Sequence, residues 1–125
     1  MLATLLALLL ACNADADGDG FAPDEDCDDA DDAVYPGADE WCDGVDNDCD
    51  NLTDEPEALD ATGWWADQDD DGWGSTDYLV RACYLPYGYT DTTGDCDDQD
   101  PDVHPGASEV PGNGADDDCD ETTPD

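Results

Sequence analysis

The sequence predicts a small, mostly irregular fold of two tandem acidic repeat units with short β-strands, ordered by cross-links rather than by an apolar core. Three observations predict it. The 125 residues include 38 acidic ones and a single basic one, Arg81, for a formal net charge of -37. Beyond residue 12 the aliphatic supply is four leucines and five valines, with no isoleucine and no methionine. Finally, two long stretches of the chain are near copies of each other.

The charge sets the first constraint. Neighbouring carboxylates fall within a Debye length of about 8 Å, so the bare chain repels itself. High charge with few aliphatics ordinarily reads as disorder. Nucleic acid and anionic lipid headgroups carry the same sign and are excluded as electrostatic partners. Ten aromatic residues are too few to hold the remainder together, and small chains in this position use metal ions and disulfides.

The N-terminus reads as an address. Leu2 to Ala11 is apolar, too short to span a bilayer as a helix, and placed where a secretory h-region belongs. Leu9-Leu10-Ala11-Cys12 resembles the lipobox of bacterial lipoproteins, although Met1-Leu2-Ala3-Thr4 lacks the usual basic residues. The resemblance implies a signal peptide over 1–11, lipidation of Cys12 and a short tether over 12–14. It also implies a chain anchored in the bacterial cell envelope, at the outer membrane or cell surface, that meets the membrane only through its lipid. Plain cleavage and an uncleaved apolar stub are the other readings.

The two units are read from the repeat. Asp15-x-Asp17-x-Asp19-Gly20-Phe21 recurs as Asp67-x-Asp69-x-Asp71-Gly72-Trp73, and Asp26-Cys27-Asp28-Asp29 recurs as Asp95-Cys96-Asp97-Asp98. The first unit spans 15–55, a connector 56–63, the second unit 64–120 and a tail 121–125. The second unit carries an insertion of 17 residues, because the first motifs lie 52 apart and the second 69. Trp64-Trp65-Ala66, Asp77 to Cys83 and Pro86 to Tyr89 are its candidate strands, a hairpin or small sheet. No stretch has the periodicity and length of a helix.

With Cys12 taken by lipid, six cysteines remain, an even number suited to an oxidising compartment. Cys27 matches Cys96 and Cys49 matches Cys119, whereas Cys42 and Cys83 have no counterparts. The simplest of fifteen pairings is Cys27–Cys49 and Cys96–Cys119 within the units, with Cys42–Cys83 joining them.

Aspartates at alternate positions followed by glycine gather hard oxygen ligands around one hard cation. Asp15, Asp17 and Asp19 fit positions 1, 3 and 5 of a twelve-position calcium loop, Gly20 its turn, the Phe21 carbonyl position 7 and Asp26 the closing ligand. Pro23 and the lack of flanking apolar periodicity argue against an EF-hand. In the second copy Asp67, Asp69, Asp71 and the Trp73 carbonyl correspond, and the closing ligand comes from Asp77 or from the cluster Asp95 to Asp98. A second ligand group is expected from Asp28, Asp29, Asp31 and Glu40, matched by Asp97, Asp98, Asp100 and Glu109, with Asp102 added in the second copy. Asp46, Asp48, Asp50 and Asp54 form a third loop, with Asn51 in the left-handed conformation. Asp116, Asp118 and Asp120 are its counterpart. Together these make the expected fold metal- and disulfide-stabilised.

Other functional classes find little footing. His104 stands where Tyr35 stands in the first unit and reads as packing more readily than as a ligand. Trp41, Trp64, Trp65 and Trp73 read as core, and Arg81 as a counter-charge to the acidic shell. There is no nucleophile–base pair and no phosphate-cradling loop, so the chain does not read as an enzyme.

The order Asp-x-Asp-x-Asp-Gly-aromatic, Asp-Cys-Asp-Asp, Pro-Gly-Ala-x-Glu and Cys42-Asp43-Gly44-x-Asp46-Asn47-Asp48-Cys49-Asp50 resembles the MopE-type metal-binding repeat of bacterial surface and secreted proteins. Its dense aspartates are also similar to thrombospondin type-3 calcium repeats. The resemblance spans 15–55 and 64–120, and the second unit departs from it at Val110 to Asn113. The family name implies copper in one branch, but one histidine and no methionine after the signal do not supply copper's ligands. The expectation is therefore a chain holding several Ca²⁺ ions, a structural or interaction module with divalent cations and an unidentified surface protein or glycan as partners. A copper or soft-metal capture protein, and a disordered acidic coat that buffers cations, are the readings from other classes.

Overall fold

The computed structural model describes residues 14–123; Cys12 and the signal peptide expected before it lie outside them. The chain divides into two compact units between Asp60 and Ala61. Each is described by itself.

The first unit contains no strand among its described residues and is a succession of turns. Backbone bonds stitch its distant parts: Tyr35 N donates to Asn47 O and Gly37 N to Asp48 O, both at 3.0 Å. Cys27 and Cys49 are bridged, their Cα atoms 5.6 Å apart. The apolar centre is small, with Val34 2 % exposed and Ala58 fully buried. Residues 56–60, expected to be connector, are built into this unit. Leu59 N donates to Glu40 O, and Asp60 Oδ1 accepts the Cys42 amide, each at 2.8 Å.

The second unit forms two small sheets, one of which pairs strands after the glycine loop with a strand before it. Strand β1 (Thr62–Ala66) is central, flanked antiparallel by β3 (Leu79–Ala82) and β4 (Tyr89–Thr90). Aromatic and branched residues favour this pleated surface, and Trp64 Nε1 donates to Ala82 O at 3.0 Å across it. Strand β2 (Gly74–Ser75) pairs in parallel with β5 (Thr93–Asp95), with Ser75 opposite Asp95. Cys96 and Cys119 are bridged, and Cys83 too is in a disulfide.

The tryptophans are not a buried core. Trp41 is exposed and the other three are half-buried. A chain this poor in aliphatics has too little apolar material to cover rings of that size. The buried residues include instead Asp26, Glu40, Asn47, Asp67, Asp95 and Asp117. Arg81 donates from Nε and Nη2 to Ala61 O.

Candidate metal centre

In the first loop the backbone bends around its own carboxylates. Asp15 Oδ1 accepts the Gly18 amide at 2.6 Å and Oδ2 the Gly20 amide at 3.1 Å. Asp17 Oδ1 accepts the Asp19 amide at 3.2 Å, and Asp19 Oδ1 the Phe21 amide at 2.8 Å. Gly18 and Gly20 sit at φ 93° and 107°, where a side chain would be strained. The second oxygens of Asp17 and Asp19 are buried and accept no hydrogen bond. A turn in which Asp26 N donates to Ala22 O brings Asp26 back. Asp26 is 8 % exposed, and its Oδ2 also lacks a partner. Asp15, Asp17 and Asp19 each place an oxygen within 4.8 Å of the others, and so do Asp17, Asp26 and Asp29.

The second loop repeats this arrangement. Asp67 accepts the Asp70 and Gly72 amides at 2.7 and 3.1 Å, Asp69 the Asp71 amide, and Asp71 the Trp73 amide. Asp70 and Gly72 take φ 70° and 95°. The orphaned oxygens fall at matching positions: Asp69 Oδ2, Asp71 Oδ2 and Asp95 Oδ2. Asp95 arrives by a different route, as the last residue of β5 beside the strand that leaves the loop. Of the two candidates for closing ligand, Asp77 is exposed and Asp95 is 5 % exposed within the cluster. Burial raises the Asp95 carboxyl above its ordinary range, and the charges of Asp71, Asp69 and Asp98 raise it further. Burial likewise raises Asp69, with Asp71, Asp67 and Asp98, and Asp17, with Asp19, Asp26 and Asp15.

The expected second group is divided by the fold. Asp29 joins the first loop, whereas buried Glu40 lies with Asp46 and Asp48, their oxygens within 4.8 Å of one another. Asp28 and Asp31 are exposed; Asp31 Oδ1 caps a turn through the Ala33 amide. In the second unit Asp97, Asp100 and Asp102 are exposed, and Asp100 Oδ1 accepts the Asp102 amide. The Pro-Gly turn separates the two ends of each segment and sends them to different clusters.

Around Glu40 the third loop copies the first two. Asp46 accepts the Asp50 and Asn51 amides, Asp48 that of Asp50, and Asp50 that of Leu52. Cys49 and Asn51 occupy the fourth and sixth positions at φ 60° and 74°. Glu40 accepts the Asn47 amide at 2.9 Å and the Asp54 amide at 3.0 Å. Asp54, an expected ligand of this loop, accepts the Gly44 amide at Oδ1. Glu55, one residue on, is the acid that feels Glu40, Asp50 and Asp48; burial first, then their charges, raise its carboxyl. Sequence reasoning missed Glu55, although an acid shortly after the loop is a signal that it shares with Asp54.

The fourth loop is incomplete. Cys119 is left-handed at φ 55°, but Glu121, at the sixth position, is not. Asp120 Oδ1 accepts the Thr122 amide and hydroxyl, which lower its carboxyl, and the Thr123 hydroxyl donates to Asp118 Oδ1. Both Asp116 and Asp118 accept or approach the turn as their counterparts do, through the Asp120 amide. Glu109 keeps a buried Oε1 without a hydrogen bond, and burial, then Asp117 and Asp118, raise its carboxyl.

The donor set fits a hard divalent cation. A buried carboxylate oxygen without a partner is costly, and here three recur at matched positions in two copies. One bound cation per loop would satisfy them. Asp26, Cys27 and Cys49 also cluster, but both sulfurs are in the disulfide and offer no thiolate. His104 stacks on Trp73 with ring centres 6.3 Å apart, as Tyr35 stacks on Phe21 at 5.5 Å. Its position is aromatic packing repeated in both units.

No curated protein and no solved structure matches the chain. A family model, Cu-binding_MopE, described as "Putative metal-binding motif", matches residues 26–55 and 95–125. The match is narrower than the resemblance read from sequence, because it leaves out both Asp-x-Asp-x-Asp-Gly loops. Each matched segment begins at the acid, Asp26 or Asp95, that closes the loop before it. Residues 26–55 and 95–125 are thus each similar to this motif, and each begins at the acid that follows an aspartate loop.

Proposed function

We infer that the chain is a calcium-binding structural module, exported and lipid-anchored at the bacterial cell envelope, with no catalytic role of its own. The observation that carries this is the threefold set of buried, unpartnered oxygens on Asp17, Asp19 and Asp26, repeated on Asp69, Asp71 and Asp95. All are carboxylate oxygens, which suit a hard ion of flexible geometry such as Ca²⁺. Asp15, Asp17, Asp19, Asp26 and Asp29 would hold one ion, and Asp67, Asp69, Asp71, Asp95 and Asp98 another. Glu40, Asp46, Asp48 and Glu55 would hold a further one. Bound calcium supplies positive charge where the fold has concentrated negative charge, and so couples binding to folding.

Extracellular calcium near millimolar fills sites with dissociation constants of roughly 10⁻⁴–10⁻³ M, so the ions serve as permanent structure rather than as a signal. Copper capture has no support in a donor set without thiolate, thioether or a free imidazole cluster.

Calorimetric titration of the ion-stripped, disulfide-intact protein tests the reading. At least one calcium ion should bind per unit, with circular dichroism reporting a gain of order that chelator reverses. Asp26→Asn and Asp95→Asn should each weaken one site by at least about tenfold, or ~1.4 kcal/mol. Calcium-insensitive spectra with both loops intact would refute it.

A further inference from the structure

We propose that Gln68 is the positioning residue of the second calcium loop, clamping Asp98 by both oxygens so that the site survives the insertion that divides it. The inference rests on the calcium reading above.

The two loops differ in how far the chain travels before it returns. In the first unit Ala16 N donates to Asp29 Oδ1 at 2.9 Å, spanning 13 residues. In the second, Gln68 N donates to Asp98 Oδ1 at 3.0 Å, spanning 30. Holding the ends of a longer segment together costs more entropy. The second unit has an additional contact at this point. Gln68 Nε2 donates to Asp98 Oδ2 at 2.8 Å, a bond Ala16 has no atom to make.

The clamp acts on a ligand of the cluster. Asp98 stands where Asp29 stands in the first unit, and Asp29 places an oxygen within 4.8 Å of Asp17 and Asp26; the buried oxygens of Asp69 and Asp95 are among those left without partners. A carboxylate has about four lone-pair sites, so two amide donors leave room for a cation. With both oxygens fixed, the carboxylate cannot rotate away from its like-charged neighbours. Outer-shell hydrogen bonds of this kind orient metal ligands, and their loss typically costs 10–100-fold in affinity.

Trp73 makes the second site separately visible. Its indole stands at the seventh position of that loop, where the first loop has Phe21. Terbium in place of calcium, excited at the red edge of indole absorption, should luminesce from this site, and Trp73→Phe, which keeps the backbone carbonyl, should assign the site's share of the signal as the part that it removes, Trp41 beside Glu40 being a separate donor. Gln68→Ala and Gln68→Met, the latter retaining side-chain length without the donor, should both weaken this terbium site about tenfold and speed its dissociation. Near-ultraviolet circular dichroism of the ion-saturated variants should match wild type. Affinity unchanged within about twofold, or a Met variant that binds like wild type, would overturn the clamp, since a purely structural Gln68 would lower only the unfolding midpoint. A wild-type protein that binds neither terbium nor calcium would overturn the clamp and the calcium reading together.

Discussion

Asp67 and Asp95 are equally deep in the second loop, yet their oxygens are treated differently. Both oxygens of Asp67 accept amides, whereas Asp95 Oδ2 accepts nothing. The first acid builds the loop and the last is left for a ligand. That division has a pH consequence in the absence of metal. Burial raises the carboxyls of Asp17, Asp69, Asp95, Glu55 and Glu109 in the fold, with like charges adding to it. Between the ordinary and the raised values the folded chain therefore holds protons that the unfolded chain has released. Stability of the ion-free fold is greatest below that window and is lost as pH rises through it. In chelator, the thermal midpoint should climb as pH falls from neutral toward about 4. In saturating calcium the slope should reverse, because protons then displace the ion. A midpoint in chelator that falls steadily with acidification would show that these carboxylates are not under strain.

At the level of elements, the two-residue pair β2–β5 does for the second unit what a single turn does for the first. It returns Asp95 to the loop across the whole insertion. Gly74 is the residue that permits it: a Cβ there would lie 2.6 Å from Trp65 Cβ and 3.0 Å from Ala66 O. Gly74→Val should cost about 1–3 kcal/mol of stability in the second unit, as overpacking does. It should also weaken the second calcium site while leaving the first unchanged, which site-resolved titration would detect. This route was not legible in the sequence, because parallel strands of two and three residues carry no period to read. The aspartate loops were legible, since ligand spacing and the turn residue are written in consecutive positions; even Asn51 was placed in the left-handed region it occupies at φ 74°. The small sheet around Trp64 and Trp65 could be read from its aromatic and branched residues, and the bridges Cys27–Cys49 and Cys96–Cys119 from the repeat. What failed was assignment between loops. Glu40 was grouped with Asp29 because they are near in sequence, and the Pro-Gly turn sends them apart. Trp41 was read as core because no other apolar bulk was on offer, and it is 46 % exposed.

For the molecule as a whole, the interior is the argument for linkage between ions and folding. Among the described residues the buried apolar ones are Val34, Ala58, Ala61 and Val103, and the buried polar ones outnumber them and are mostly acids. Apolar burial is thus a minor force, and disulfides and cations carry correspondingly more of the stability. The two act differently. A bridge such as Cys27–Cys49, closing 22 residues, limits how far the unfolded chain can spread. A cation removes the repulsion that drives the spreading. With calcium present, reduction should lower the thermal midpoint, each bridge contributing about 2–4 kcal/mol, without expanding the native state. With bridges intact, chelation should enlarge the radius of gyration, and more so at low ionic strength than at high, because salt screens the charges that calcium no longer neutralises. Small-angle scattering across these four conditions separates the contributions. Equal radii with and without calcium at low salt would mean that the acids of the interior are accommodated by something other than bound ions.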